Sequence, residues 1–236
     1  MSTPRVVLLT TDTTHHLLWA RELAREMAIA SIFLEAPAPP PPFPVAHTFE
    51  ADRDGFERGV LGEGPGWSAL AEVHGVTSIN DPAARGTLRA LRADVTLVFG
   101  TRRLAPETVA VSGACLNLHG GDPEHYRGLD THLWAIYHGE FHRLVTTLHV
   151  VDRELDTGAI VAQSGLPLEA GMGLHQLRLV NTRACIELSL RALGAFADSR
   201  PLAARPQTTR GRYYSAMPSA LKDVCVSRFA RHVASL

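Results

Sequence analysis

Uninterrupted apolar runs alternate with helix-spaced segments through the first half of this chain, and that alternation restricts the fold more than any other feature. The runs are "RVVLLT" (5–10), "IASIFLE" (29–35), "ADVTLVFG" (93–100) and "ACLNLHG" (114–120). A strand with one face in water alternates apolar and polar residues. A continuous run needs apolar packing on both faces. Between the runs, "HHLLWARELAREMA" carries Leu17, Leu18, Ala20, Leu23, Ala24 and Met27 at helical spacing. "FEADRDGFERGVLG" reads as a helix, and "GEGPGWSALAEVHG" as a glycine loop that becomes a helix. "VTSI" then reads as a strand, and "DPAARGTLRALR" as a helix with Asp81 as cap and Pro82 at its first position. Alternating strand and helix implies an α/β, Rossmann-like fold, a mostly parallel sheet with helices on both faces.

The second half departs from that rhythm. "THLWAIYHG" is a helix closed by Gly139, and "LVTTLHVVD" and "GAIVAQSGLPL" are strands too close together for a crossover, so an antiparallel excursion is expected. "GLHQLRLVNTRACIELSLRALGAFA" is a long amphipathic helix. The expected division is a catalytic domain over 1–200, with a loop and short helix over 201–236 packing on it as an appendage. "APAPPPPFP" (36–44) admits a polyproline ligand or a stiff surface loop; without flanking charge patterning the loop is favoured.

Composition and motifs remove several functions. Lysine plus arginine is 23 and aspartate plus glutamate 24, a net charge of −1, which gives no reason to expect nucleic acid or an anionic membrane as partner. No apolar run is long enough to span a bilayer, and the N-terminus reads as a buried first strand rather than a signal peptide. Cys115, Cys185 and Cys225 are scattered, form no C-x-x-C pair and suit a reduced cytoplasm. The turn after the first run, "TTDTTHH", lacks the glycines of a dinucleotide site, and there is no Walker loop. "HGEFH" (138–142) has the wrong order for a zinc helix, so no metal is expected. No G-x-S-x-G elbow is present, and Cys115 reads as packing.

What remains is "NLHGG" with a later carboxylate. Ligands of such sheets sit beyond the carboxyl ends of the strands, and Asn117 and His119, two apart, share one strand face there. In "DRELDTGAIVAQ", Thr157 and Gly158 suggest a tight loop that aims Asp156. An asparagine amide beside a histidinium held by an aspartate gives two donors for a developing oxyanion. That suits acyl transfer with no covalent enzyme intermediate. Asn117 and His119 capping a loop, with Asp156 in a turn, remains an equal reading of the spacing.

Four blocks in matching order then resemble the folate-dependent formyltransferases, a family that includes glycinamide ribonucleotide, methionyl-tRNA and sugar N-formyltransferases. They are "LNLHGG", "YRGLDTHLWAIYHGE", "VTTLHVVDRELDTGAIVAQ" and "PQTTRGRYY", and the best-matched stretch runs from about 93 to 200. The resemblance implies an N-formyltransferase that moves a formyl group from 10-formyltetrahydrofolate to a small-molecule amine through a tetrahedral intermediate. The amine would be an amino sugar, nucleotide-linked or not, or an amine of specialised metabolism. By position Asn117, His119 and Asp156 would be catalytic. Asn117 and protonated His119 would donate to the formyl oxygen, and Asp156 would hold His119 and help move protons. The folate would lie against Phe99, Gly100, Arg102, Arg103 and Leu104, and against Val150, Asp152 and Leu155. Thr11, His15, Tyr126 and Arg127 are the candidate substrate contacts.

The sequence also departs from the family. "GGDPEHYRG" replaces the usual segment after N-x-H and reads as the wall facing the amine. The phosphate loop of the purine-pathway enzyme is missing, and 236 residues leave no room for a tRNA-binding domain. Two other functions stay in view: a hydrolase with water as acceptor, although such enzymes usually carry an N-terminal module not seen here, and a catalytically silent folate- or partner-binding module. His15 and His16 could equally cap a helix, and Arg127 could equally pair with a carboxylate. Trp134 reads as core, and Trp67 as a stacking surface for a ligand. "RGRYY" could cover a cleft or a subunit interface, which leaves a homodimer open.

Overall fold

The computed structural model describes residues 3–236. In chain order the elements are β1 (Val6–Thr11), α1 (Thr14–Glu26), β2 (Ile29–Glu35), α2 (Thr48–Leu61), β3 (Glu72–Val76), α3 (Pro82–Leu91), β4 (Val95–Phe99), α4 (Pro106–Val109) and β5 (Ala114–His119). Then come β6 (Tyr126–Gly128), α5 (Thr131–His138), β7 (Val145–Val150), β8 (Ile160–Gly165), α6 (Leu177–Ala197), β9 (Arg212–Tyr214) and α7 (Ser219–Val233). Seven strands form one sheet in the order β3-β2-β1-β4-β5-β7-β8. The strands from β3 to β5 pair parallel. β7 then runs antiparallel to β5, and β8 antiparallel to β7. This is the α/β, Rossmann-like sheet that the apolar runs imply, with the antiparallel excursion where the connections are short.

The continuous runs are explained by two cores, one on each sheet face. Val6 and Leu8 of β1 join Trp19, Leu23, Leu97, Leu116 and Leu188 on the side of α1 and α6. Val7 and Leu9 join Phe33, Leu88, Val98 and Cys115 on the other. Each such side chain, fully buried, stabilises the fold by about 1.5–3 kcal/mol. Trp19 Nε1 finds its partner inside the core, donating to Ser189 Oγ at 3.0 Å. α5 ends at Gly139 with φ 77°, as the glycine suggested. Asp81 does precede Pro82 of α3, but its carboxylate accepts from Ser78 N–H rather than capping the helix.

Two stretches differ from expectation. Residues 62–75 hold no helix beyond one short turn at Trp67–Ala69; the strand there is β3, and "VTSI" lies at and past its end. β3 is an edge strand, half covered, so polar Glu72 and His74 interrupt the apolar pattern that would have marked it. Trp67 packs against the first core and its Nε1 donates to Asp12 Oδ1 at 2.7 Å, so its role is structural rather than ligand stacking. The tail also builds more than a loop and short helix. β9 pairs parallel with β6, and the 15 residues of α7 bury Cys225, Phe229 and Val233 with Leu133 and Ile136 of α5. Buried Lys222 of α7 reaches Glu50 of α2 at 2.8 Å and the Val45 carbonyl at 2.5 Å, which fixes where α2 starts. Among the described residues no helix is long and apolar enough to cross a membrane.

Candidate active site

Four polar side chains gather at the ends of β5 and β7. The antiparallel register sets His149 of β7 opposite Asn117 of β5. His149 Nδ1–H donates to the Val150 carbonyl at 2.8 Å. Its other ring nitrogen, Nε2, stands 3.1 Å from Asn117 Nδ2. Asp156, at φ 55° in the loop after β7, enters between the two histidines. Its Oδ2 accepts the Gly128 N–H at 2.9 Å and stands 3.6 Å from His119 Nδ1, while Oδ1 stands 3.5 Å from His149 Nε2. Burial opposes ionisation of Asp156, but His119, His149 and the Gly128 N–H together hold the carboxyl well below the usual carboxylate range. His119 Nε2–H donates to the Tyr126 carbonyl at 2.8 Å, so both its ring nitrogens face acceptors. Gly158 is required where the loop returns: a Cβ there would stand 1.7 Å from the Val150 oxygen.

Two cavities meet at this cluster. The larger, about 400 Å³, contains Asn117, His119, His149 and Asp156 in its lining. The smaller, about 230 Å³, is lined by His119 from one side and by His15, Phe49, Arg53, His132, Arg178 and Asn181 from others. Phe99, His119, Gly120, Gly128 and Leu129 border both. Leu129, 57% exposed, and Tyr213, 55% exposed, stand at the mouth of the larger one. At the rim of the smaller one, Arg178 pairs with Glu57 and with Asp54 at 2.8 Å, and Arg53 lies 3.6 Å from Glu50, which also holds Lys222. These three cations face Glu50, Asp54 and Glu57, so the rim is electrically balanced.

The larger cavity receives most of the expected folate positions: Phe99, Gly100, Arg102, Arg103 and Leu104 after β4, and Asp152 and Leu155 after β7. Val150 does not line it; its neighbour Val151 does, because Val150 points outward and is 37% exposed. The Arg102 guanidinium turns away toward Glu35 and the Thr77 carbonyl. Arg103 spans the cavity mouth to the Arg153 carbonyl at 2.5 Å.

Of the expected substrate contacts only His15 borders a cavity of the cluster, and its Nδ1 bonds the Thr13 hydroxyl at 3.1 Å. Thr11 lines a separate surface cleft with Glu35, and its hydroxyl bonds His16 at 2.9 Å. Tyr126 and Arg127 line neither cavity. Tyr126 is buried, donates to Glu140 Oε2 at 2.7 Å and stacks on Tyr214. Among the described residues Arg127 meets no carboxylate; it donates to the Gly211 carbonyl at 2.7 Å and the Leu155 carbonyl at 3.1 Å. Of "DPEHYRG", Gly128 lines both cavities, while Asp122 and Glu124 pair outward with Arg143 and Arg205; residues 128–133 line the smaller cavity. "RGRYY" covers the cleft through Tyr213. Trp134 is half-buried rather than core: it packs beside Tyr214 against the edge of the α5–α7 core and donates to the Ser215 carbonyl at 2.9 Å. Sequence reasoning missed His149, His132, Asn181 and the arginines, since only the fold brings them together. Among the described residues no group of three or more His, Cys, Asp or Glu is arranged to hold a metal ion.

A family model described as formyl transferase matches residues 46–179, more than half of the chain. The chain belongs to the formyl transferase family. It is 38% identical over 112 residues to a methionyl-tRNA formyltransferase of Synechococcus sp. (strain JA-2-3B'a(2-13)), 44% of this chain and 34% of that protein. The chain therefore spans about a third of the length of that curated relative. Its fold is similar to that of a sugar N-formyltransferase from Shewanella sp. FDAARGOS_354, with TM-score 0.62, 13% identity, and coverage of 95% of this chain and 87% of the other. It is also similar to HypX from Aquifex aeolicus, whose structure was solved with tetrahydrofolic acid. There the TM-score is 0.59, the identity 17%, and the coverage 97% of this chain and 34% of the other.

Proposed function

We propose that this formyl transferase moves a formyl group from 10-formyltetrahydrofolate to a small-molecule amine, an amino sugar being the acceptor class that suits it best. The observation that carries this reading is the meeting of two cavities at His119, beside Asn117, His149 and Asp156. A transferase needs two substrates whose reacting atoms approach from different sides of one catalytic group. The larger cavity fits a folate. Phe99 and Leu104 give it apolar surface, and the backbone N–H and C=O of Leu104 make no hydrogen bond among the described residues, leaving a donor and an acceptor for a flat heterocycle edge. That co-substrate would supply the activated formyl group. The smaller cavity has room for an amine-bearing ring or chain, and anything larger attached to it would leave past Leu129.

In this reading each residue has a separate task. The Asn117 amide donates to the formyl oxygen as charge builds there, moving off His149 to do so. His119, with both nitrogens held by the Tyr126 carbonyl and Asp156, acts chiefly through positive charge at the junction. The attacking amine loses a proton and the departing nitrogen gains one, and Asp156 with His119, 3.6 Å apart, offers the route. The test is transfer from 10-formyltetrahydrofolate to a panel of amines, following N-formyl product and free formate separately. N-formyl product that falls about 10²–10³-fold in Asn117→Ala supports the reading. Formate release independent of amine would sink it in favour of hydrolysis, and equal turnover by wild type and His119→Ala would sink catalysis at this site.

A further inference from the structure

The smaller cavity holds one polar feature that the transfer chemistry does not use. His132, on α5, donates Nε2–H to the Val145 carbonyl at 2.7 Å. Asn181, on α6, accepts the Thr146 hydroxyl on Oδ1 at 2.6 Å. Each bond commits one end of its side chain and so assigns the other. His132 keeps an acceptor at Nδ1, and Asn181 keeps donors at Nδ2. Neither atom bonds any protein group among the described residues, and both side chains line the smaller cavity. They are neighbours across one glycine. A Cβ on Gly120 would stand 3.2 Å from His132 Cε1 and 3.6 Å from Asn181 Nδ2, and Gly120 follows His119 directly. Burial, aided by the charge on His119, pushes His132 down to about 4, so the ring stays a neutral acceptor at physiological pH.

We propose that His132 and Asn181 read a hydroxyl on the carbon next to the acceptor's amine. A hydroxyl is the small group that both donates and accepts, and so answers an acceptor and a donor set side by side. An amine alone offers no acceptor to Asn181 once its lone pair is directed at the formyl carbon. The acceptor class is then a vicinal amino alcohol, as in a ring with adjacent amine and hydroxyl. The proposal rests on amine transfer at His119 and adds which amines are admitted. A site built to bond a hydroxyl discriminates against the analogue lacking it, because its own polar atoms are left unpaired.

The probes are trans-2-aminocyclohexanol and cyclohexylamine, which differ by that hydroxyl and are small enough for a cavity of about 230 Å³. Calorimetric titration of the folate-saturated protein gives the ratio of their affinities, and the same samples are assayed for N-formyl product. The expected result is about tenfold or greater preference for the amino alcohol. That ratio collapses toward one in Asn181→Asp, which keeps the Thr146 bond and loses the donor, and in His132→Leu. Comparing two amines within one variant cancels any change in the folded fraction. Equal affinities in the wild type, or a ratio that survives both substitutions, overturns the role of the pair. A preserved preference with no N-formyl product overturns the transfer reading and leaves the recognition standing.

Discussion

Asp156 joins two histidines and a backbone amide, so its charge is the residue on which the cluster turns. Asp156→Asn keeps the shape and removes the charge; the expected outcome is a fall in kcat/KM of about 10²–10⁴-fold, measured with a saturating formyl donor. The same carboxyl makes stability depend on pH. Its pKa is depressed in the fold, so the stability it contributes is fully present above its unfolded value, near 4, and is lost as the pH falls below that. Denaturant midpoints between pH 5 and pH 2.5 should drop more steeply for wild type than for Asp156→Asn; parallel curves would contradict the assignment. That Asn117, His119 and Asp156 come together was legible in the sequence, because spacing puts two on one strand face and the L-D-T-G loop resembles that of the formyltransferases. His149 was not. Its partner across the sheet is fixed by antiparallel register, which no local pattern encodes. Tyr126 and Arg127 misled for a related reason: adjacency to the site in sequence says nothing about which way a three-residue strand turns its side chains.

The loop between β7 and β8 depends on Gly158. Gly158→Ala forces a methyl onto the Val150 carbonyl and should cost about 1–3 kcal/mol in chemical denaturation while moving Asp156 off its partners. Loss of activity without loss of stability would show that the loop yields instead. α7 makes a second case. Phe229 is fully buried among α5 residues, so Phe229→Ala should cost about 3–5 kcal/mol, read from the urea midpoint. A cost below about 1 kcal/mol would mean that α7 is only laid on the surface. At this scale the sequence was readable where a strand is buried on both faces, as in β1, β2, β4 and β5. It misled at β3, where an open edge tolerates Glu72 and His74, and it was silent on β6 and β9, each three residues long and without periodicity.

At the scale of the whole molecule, several buried histidines set a common acid limit. Burial brings His16 down to about 3 and His132 to about 4, and lowers His15 well below its ordinary value. Unfolded, each takes a proton near pH 6.5, so stability should begin to fall as the pH drops below about 6.5, before the carboxylates titrate. Thermal unfolding at pH 7.5, 6.0 and 5.0 should show it, and His16→Phe should flatten the slope; a midpoint constant over that range would count against these rings being buried neutral. The pairing of β6 with β9 has an effect in time as well as in space. Arg127 ties β6 to Gly211 and to Leu155, and Lys222 of α7 fixes α2 beside the smaller cavity. On a ribosome the seven strands of the main sheet are finished once β8 has emerged. The mouth at Tyr213 is not. A nascent chain would therefore hold a folded but unclosed reaction chamber until β9 and α7 have also left the exit tunnel, and competence would wait for them.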